Sequence, residues 1–168
     1  MQKLEIIVQN ATVNLAHLQV KEVFQLDKEH KRSFIHGQDA ESIVEGGNVP
    51  YSDTIEQLRN LTWEQSPVAK IELIYQALKF KLAEEVDKFW DGTERFLSTQ
   101  ERNIDMDNLQ GITIYIVWAL KDPTILADLQ ITQEFLTKST KLSTRSLFLE
   151  VLKSSIEYLL DIQLEDAD

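Results

Sequence analysis

The run GITIYIVWAL, residues 111–120, is the most apolar stretch of the chain and the feature that most narrows its possible folds. Its Ile, Thr, Tyr and Val residues favour strands. A strand buried on both faces needs neighbours to take its backbone hydrogen bonds, and no second run of this kind is present to pair with it. The run therefore reads as a fully buried central helix of about three to four turns, with burial overriding propensity. Five glycines and three prolines give few turn signals, which again favours helices. The expected class is all-α, a layered helical domain of about six helices around that central one.

The remaining periodicity agrees. Ile55, Leu58 and Leu61 mark a short helix. Ser66-Pro67 reads as an N-cap followed by proline in the first turn. Behind it Ile71, Ile74, Leu78, Leu82, Val86 and Phe89 make a long apolar stripe, which Asp91-Gly92 ends. Residues 92–104 are a polar connection with one turn of helix, and Asp122-Pro123 stops the central helix. Ile125, Leu126, Leu129 and Phe135 begin the next helix, and Leu147, Phe148, Val151, Leu152, Ile156 and Leu159 line the last. Residues 3–28 carry apolar groups at roughly helical spacing. The division is an N-terminal helical arm and connection (1–50), a helical domain (51–164) and an acidic tail (165–168), with Gly46-Gly47 and Pro50 at the boundary. Trp63, Trp90 and Trp118 read as core anchors.

Charge and composition exclude several functions. A net charge of −11 opposes nucleic-acid binding, which clustered Lys and Arg drive, and opposes direct adsorption to an anionic lipid surface. Cysteine is absent, so thiolate metal sites and cysteine nucleophiles are too. His17, His30 and His36 lack ligand spacing, and no phosphate-binding glycine loop occurs, so neither metal nor cofactor is expected. The N-terminus has no long apolar region, which predicts a cytosolic protein.

One constellation stands out. Asp105, Asp107 and Asn108 directly precede the central helix. Such carboxylates commonly cap a helix and oppose its positive dipole end, or else face a partner.

The order of landmarks resembles the vacuolar-protein-sorting-nine domain family. "TIEQLRNLTWEQSPVAKIELI" (54–74) is similar to its opening, with Ile55, Leu58, Leu61, Ser66, Pro67, Lys70 and Ile71 in the family's places. "DNLQGITIYIVWAL" follows its Asp-Asp/Glu-x-x-Pro and apolar helix containing Tyr, with Asp107 at the first Asp and Tyr115 at the Tyr. "ILADLQITQEF" (125–135) matches the next helix through Ile125, Asp128, Leu129 and Phe135. The resemblance spans about 54–160 and departs in three places. Gly111 replaces the family's Pro, Asp128 stands where Asn or Glu is common, and Ser146-Leu147 replaces a Gly-Tyr pair whose Tyr contacts the partner. Phe148, one position on, offers a ring without the hydroxyl.

The resemblance implies guanine nucleotide exchange on a small Rab GTPase of the early-endosomal, Rab-five-like class, at an endosomal membrane reached through other partners. It implies that Asp107 is inserted into the nucleotide site, without covalent chemistry, with Asn108, Gly111, Tyr115, Asp128, Leu147 and Phe148 forming the partner surface. Two other readings remain open. One is a catalytically weak Rab-binding or scaffolding domain of the same fold, which Leu147 favours; the other is an unrelated acidic helical module that docks a partner helix.

Overall fold

Irregular backbone near the N-terminus is the first departure from the helical expectation. The computed structural model describes residues 6, 13–35, 49–91, 93, 97–139 and 144–166. Within 13–27 the chain makes turns and a 3₁₀ turn at Glu22–Phe24, and only then a short helix α1 (Lys28–Arg32) capped by Asp27. Gln19 and Leu26 adopt positive φ, 60° and 49°, and break any continuous helix there. The apolar spacing still served burial, since Leu15, Val20, Val23, Phe24 and Leu26 all enter the core. The proposed boundary at Gly46-Gly47 lies outside the described residues, as do His36 and 167–168 of the acidic tail.

From Ser52 onward the helices follow the sequence closely. Helix α2 (Ser52–Arg59) continues into a 3₁₀ turn, Asn60–Trp63, and buries Ile55, Leu58 and Leu61. Helix α3 (Pro67–Gln76) starts where expected, with Ser66 Oγ accepting the Ala69 N–H at 3.1 Å. A π-helical segment, Ala77–Lys81, joins α3 to α4 (Leu82–Trp90). The buried stripe Ile74, Leu78, Leu82, Val86 steps by four each time. At about 100° per residue such steps drift around an α-helix, and a wider π turn absorbs the drift and keeps the stripe on the core. One helical turn, α5 (Thr99–Arg102), interrupts the connection that follows.

Helix α6 (Met106–Leu120) is the predicted central helix. Leu109, Ile112, Ile114, Tyr115, Ile116, Val117 and Leu120 are all buried, so apolar contacts surround it. Its buried Thr113 hydroxyl donates to the Leu109 carbonyl at 2.7 Å, as Ser155 does to Val151 at 2.7 Å. Lys121, at φ 50°, turns the chain out, and α7 (Pro123–Ser139) starts with Asp122 accepting the Thr124 N–H at 2.9 Å. Helix α8 (Thr144–Asp166) makes the most extensive packing against α6, and Ser155 Oγ lies 3.5 Å from the Gln110 carbonyl. Among the described residues there is no strand, and six helices have eight residues or more. The all-α reading around a buried central helix is correct.

The tryptophans divide. Trp90 is buried and donates its Nε1–H to the Val23 carbonyl at 2.9 Å; Trp118 is half-buried. Trp63 corrects the core-anchor expectation, because it is 81% exposed. Its 3₁₀ turn points Leu61 inward and leaves Trp63, two residues later, outside.

Candidate functional site

The first turn of α6 separates the two aspartates that the sequence could not. Asp105 is the N-cap. Its Oδ1 accepts the Asn108 backbone N–H at 2.9 Å and the Asn108 Nδ2–H at 2.7 Å. Its Oδ2 lies 3.6 Å from Lys21 Nζ. The Asn108 backbone and side-chain donors, with Lys21 adding to them, hold the Asp105 carboxyl below the usual aspartate range. Asp107 sits two residues further, in the first turn, exposed. Its side chain has no hydrogen bond or ion pair among the described residues. The capping need is met by Asp105, so Asp107 is free to face outward.

Asn108 faces inward instead. It is buried, and its Oδ1 accepts the backbone N–H of Lys21 at 2.7 Å. Gly111 lies on the same inner face: a Cβ added there would meet Val20 Cγ2 at 2.6 Å and the Leu18 carbonyl at 3.6 Å. The glycine in place of the family's proline therefore lets residues 18–21 cross the helix closely. Tyr115 is buried too, which pushes its phenol upward, and it lines a cleft of about 370 Å³ with Val13, Leu15 and Trp118. Two residues expected at the partner surface, Asn108 and Gly111, thus lie under the N-terminal segment, and Tyr115 shares a cleft with it. That segment is held by side chains of the domain: Trp90 and Tyr51 donate to the Val23 and Phe24 carbonyls, and Asn108 takes the Lys21 amide.

Asp128 is half-buried and pairs with Lys70 at 2.9 Å. This contact joins two sequence fragments read separately, the Ser-Pro-x-x-Lys entry and "ILADLQITQEF", across 58 residues. Leu147 is 47% exposed at the start of α8. Phe148 is half-buried and packs edge-on against Tyr75, with ring centroids 5.4 Å apart. Around that ring pair Arg145 stacks on Tyr75 at 4.7 Å and pairs with Glu72 at 2.6 Å, and Lys79 Nζ donates to the Tyr75 hydroxyl at 2.8 Å. Arg145 holds the Glu72 carboxyl low. The Lys21 contact with Asn108 spans 87 residues, and no local spacing announces it. Trp63 on its exposed turn carries no sequence signal of exposure either.

Residues 51–164 match the Vacuolar sorting protein 9 (VPS9) domain family. The match covers most of the chain, and the protein belongs to that family. Membership implies a function of the Rab guanine-nucleotide-exchange type and binding to small Rab GTPases. No curated protein and no solved structure matches the chain significantly. No described helix is long and apolar enough to cross a membrane.

Proposed function

We propose that the domain accelerates nucleotide release from an early-endosomal, Rab-five-like GTPase by inserting the Asp107 carboxylate into the nucleotide site. The observation that carries this reading is the division of labour at the start of α6, where Asp105 caps the helix and Asp107 stays exposed with no partner among the described residues. A GTPase holds its nucleotide largely through Mg²⁺ and a phosphate-binding lysine. A carboxylate brought beside them disfavours the metal-bound state and pairs with the lysine in place of a phosphate oxygen. Nucleotide then leaves without any covalent change. Leu147 and Phe148 at the start of α8 supply apolar contact to the GTPase, while Asn108, Gly111 and Tyr115 act from beneath, by shaping the helix that presents Asp107. Asp128, paired with Lys70, holds α7 to α3 behind that surface. The endosomal location follows from the GTPase, through partners rather than through lipid, given the net charge of −11.

Leu147 favours a second reading. An exposed apolar side chain replaces a partner-contacting tyrosine, so binding without strong exchange fits as well. Release of a fluorescent guanine nucleotide from a panel of purified Rab proteins separates the two. Acceleration on Rab-five-like members supports exchange, a stable complex without acceleration supports the binding reading, and no complex with any member overturns both.

A further inference from the structure

We infer that Asn108 is a positioning residue, which clamps the first turn of α6 to the N-terminal segment and so sets the direction in which Asp107 leaves the helix. The inference rests on the exchange reading above.

The first turn of a helix is its weakest part, because its N–H groups lack partners within the helix and it tends to fray. Here three contacts oppose fraying. Asp105 takes the Asn108 N–H at 2.9 Å, Asn108 takes the Lys21 N–H at 2.7 Å, and Asn108 gives a hydrogen bond to Asp105 at 2.7 Å. The side chain at 108 must therefore accept from one group and donate to another at once, which an amide does and a carboxylate does not. An aspartate there would set two carboxylates against each other at the distance now bridged by a hydrogen bond. One turn on, Gly111 admits Val20 so closely that any side chain would collide with it, so the segment is held at a second point. Asp107 is the residue immediately before Asn108, and its backbone direction is fixed by this clamp. A carboxylate that must enter a nucleotide site needs that direction set beforehand, since a misplacement of about 1 Å can cost on the order of 10²-fold in rate.

The test reads nucleotide release at saturating domain concentration, with affinity for the GTPase measured beside it. Asn108→Ala should lower the maximal acceleration by about tenfold or more, while the concentration for half-maximal effect moves less than about twofold. Asn108→Asp should be as poor as Asn108→Ala. In an Asp107→Ala background, where release is spontaneous and affinity for the GTPase is read instead, Asn108→Ala should leave that affinity within about twofold, because it acts through Asp107. A second pair tests the same clamp where N108A fails to fold: Gly111→Ala should slow release, and Val20→Ala added to it should restore the rate. Unchanged acceleration in folded N108A overturns the inference, as does a loss of GTPase affinity well beyond about twofold in the Asp107→Ala background, which marks a general structural role. Failure of V20A to rescue G111A also counts against it. If the wild-type domain accelerates no GTPase, the exchange reading falls by itself, and amide hydrogen exchange then judges the clamp. N108A should expose the amides of Lys21, Asn108 and Leu109 by about tenfold or more while those near Ser155 stay protected, and unchanged protection at those three amides overturns it.

Discussion

Two helix starts use carboxylates in opposite ways. Helix α2 begins at Tyr51, whose φ of 60° leaves no side-chain cap of its own. Its cap comes from α4: buried Glu85 accepts the Asp53 and Thr54 N–H groups at 2.8 and 3.0 Å, and the Thr54 hydroxyl as well. These three hydrogen bonds hold the carboxylate against the start of α2. Buried Tyr51, whose phenol is pushed well up by burial and by Glu85, donates to the Phe24 carbonyl and ties the same corner to the N-terminal segment. Helix α6 has its own cap in Asp105, half-exposed, and a second acid, Asp107, outside. An acid at a helix start is thus structural where its oxygens are held against N–H groups, and stays exposed where another acid already caps the helix.

That contrast breaks most visibly at Glu85. Glu85→Ala orphans two backbone N–H groups and a fully buried hydroxyl and should cost about 3 kcal/mol in urea denaturation; a loss under about 1 kcal/mol would mean that water replaces the cap. Asp105→Ala removes an ordinary N-cap and should cost about 1 kcal/mol in the same experiment. Trp63→Ala, at an exposed position, should stay within about 0.5 kcal/mol, and a larger loss would place the indole in the core after all. The finest effect is on pH. Asp105 is held low, so its contribution is present above the ordinary carboxylate range and lost as pH falls through the lowered folded-state value. Carbon-detected titration of its carboxyl should give a midpoint below that of a free aspartate, and Asn108→Ala should move the midpoint up; an unmoved midpoint would remove Asn108 as the cause.

Much of this fold was legible because periodicity and caps are local. The lone apolar run without a pairing partner specified a buried helix against its own strand propensities, and Ser66-Pro67 located the start of α3 to the residue. The π segment was legible in principle, since Leu78, Leu82 and Val86 step by four, but a stripe alone does not say whether the helix widens or the residues leave the core. Residues 13–27 were misread as helical because burial at irregular backbone produces the same apolar density as a helix face. At the candidate site, composition found the carboxylate cluster but not which acid caps the helix. That choice depends on Lys21 and Asn108 meeting across 87 residues. The inward turn of Gly111 and Tyr115 depends on the same long-range packing, as does the pairing of Asp128 with Lys70.

The separation of roles between Asp105 and Asp107 is tested most directly by nucleotide release from a Rab-five-like GTPase with Asp107→Ala, read beside its thermal unfolding. The prediction is release at the spontaneous rate with stability changed by less than about 0.5 kcal/mol, as expected of an exposed side chain with no partner among the described residues. Full acceleration in the variant, or a collapse of its unfolding temperature, would contradict the account.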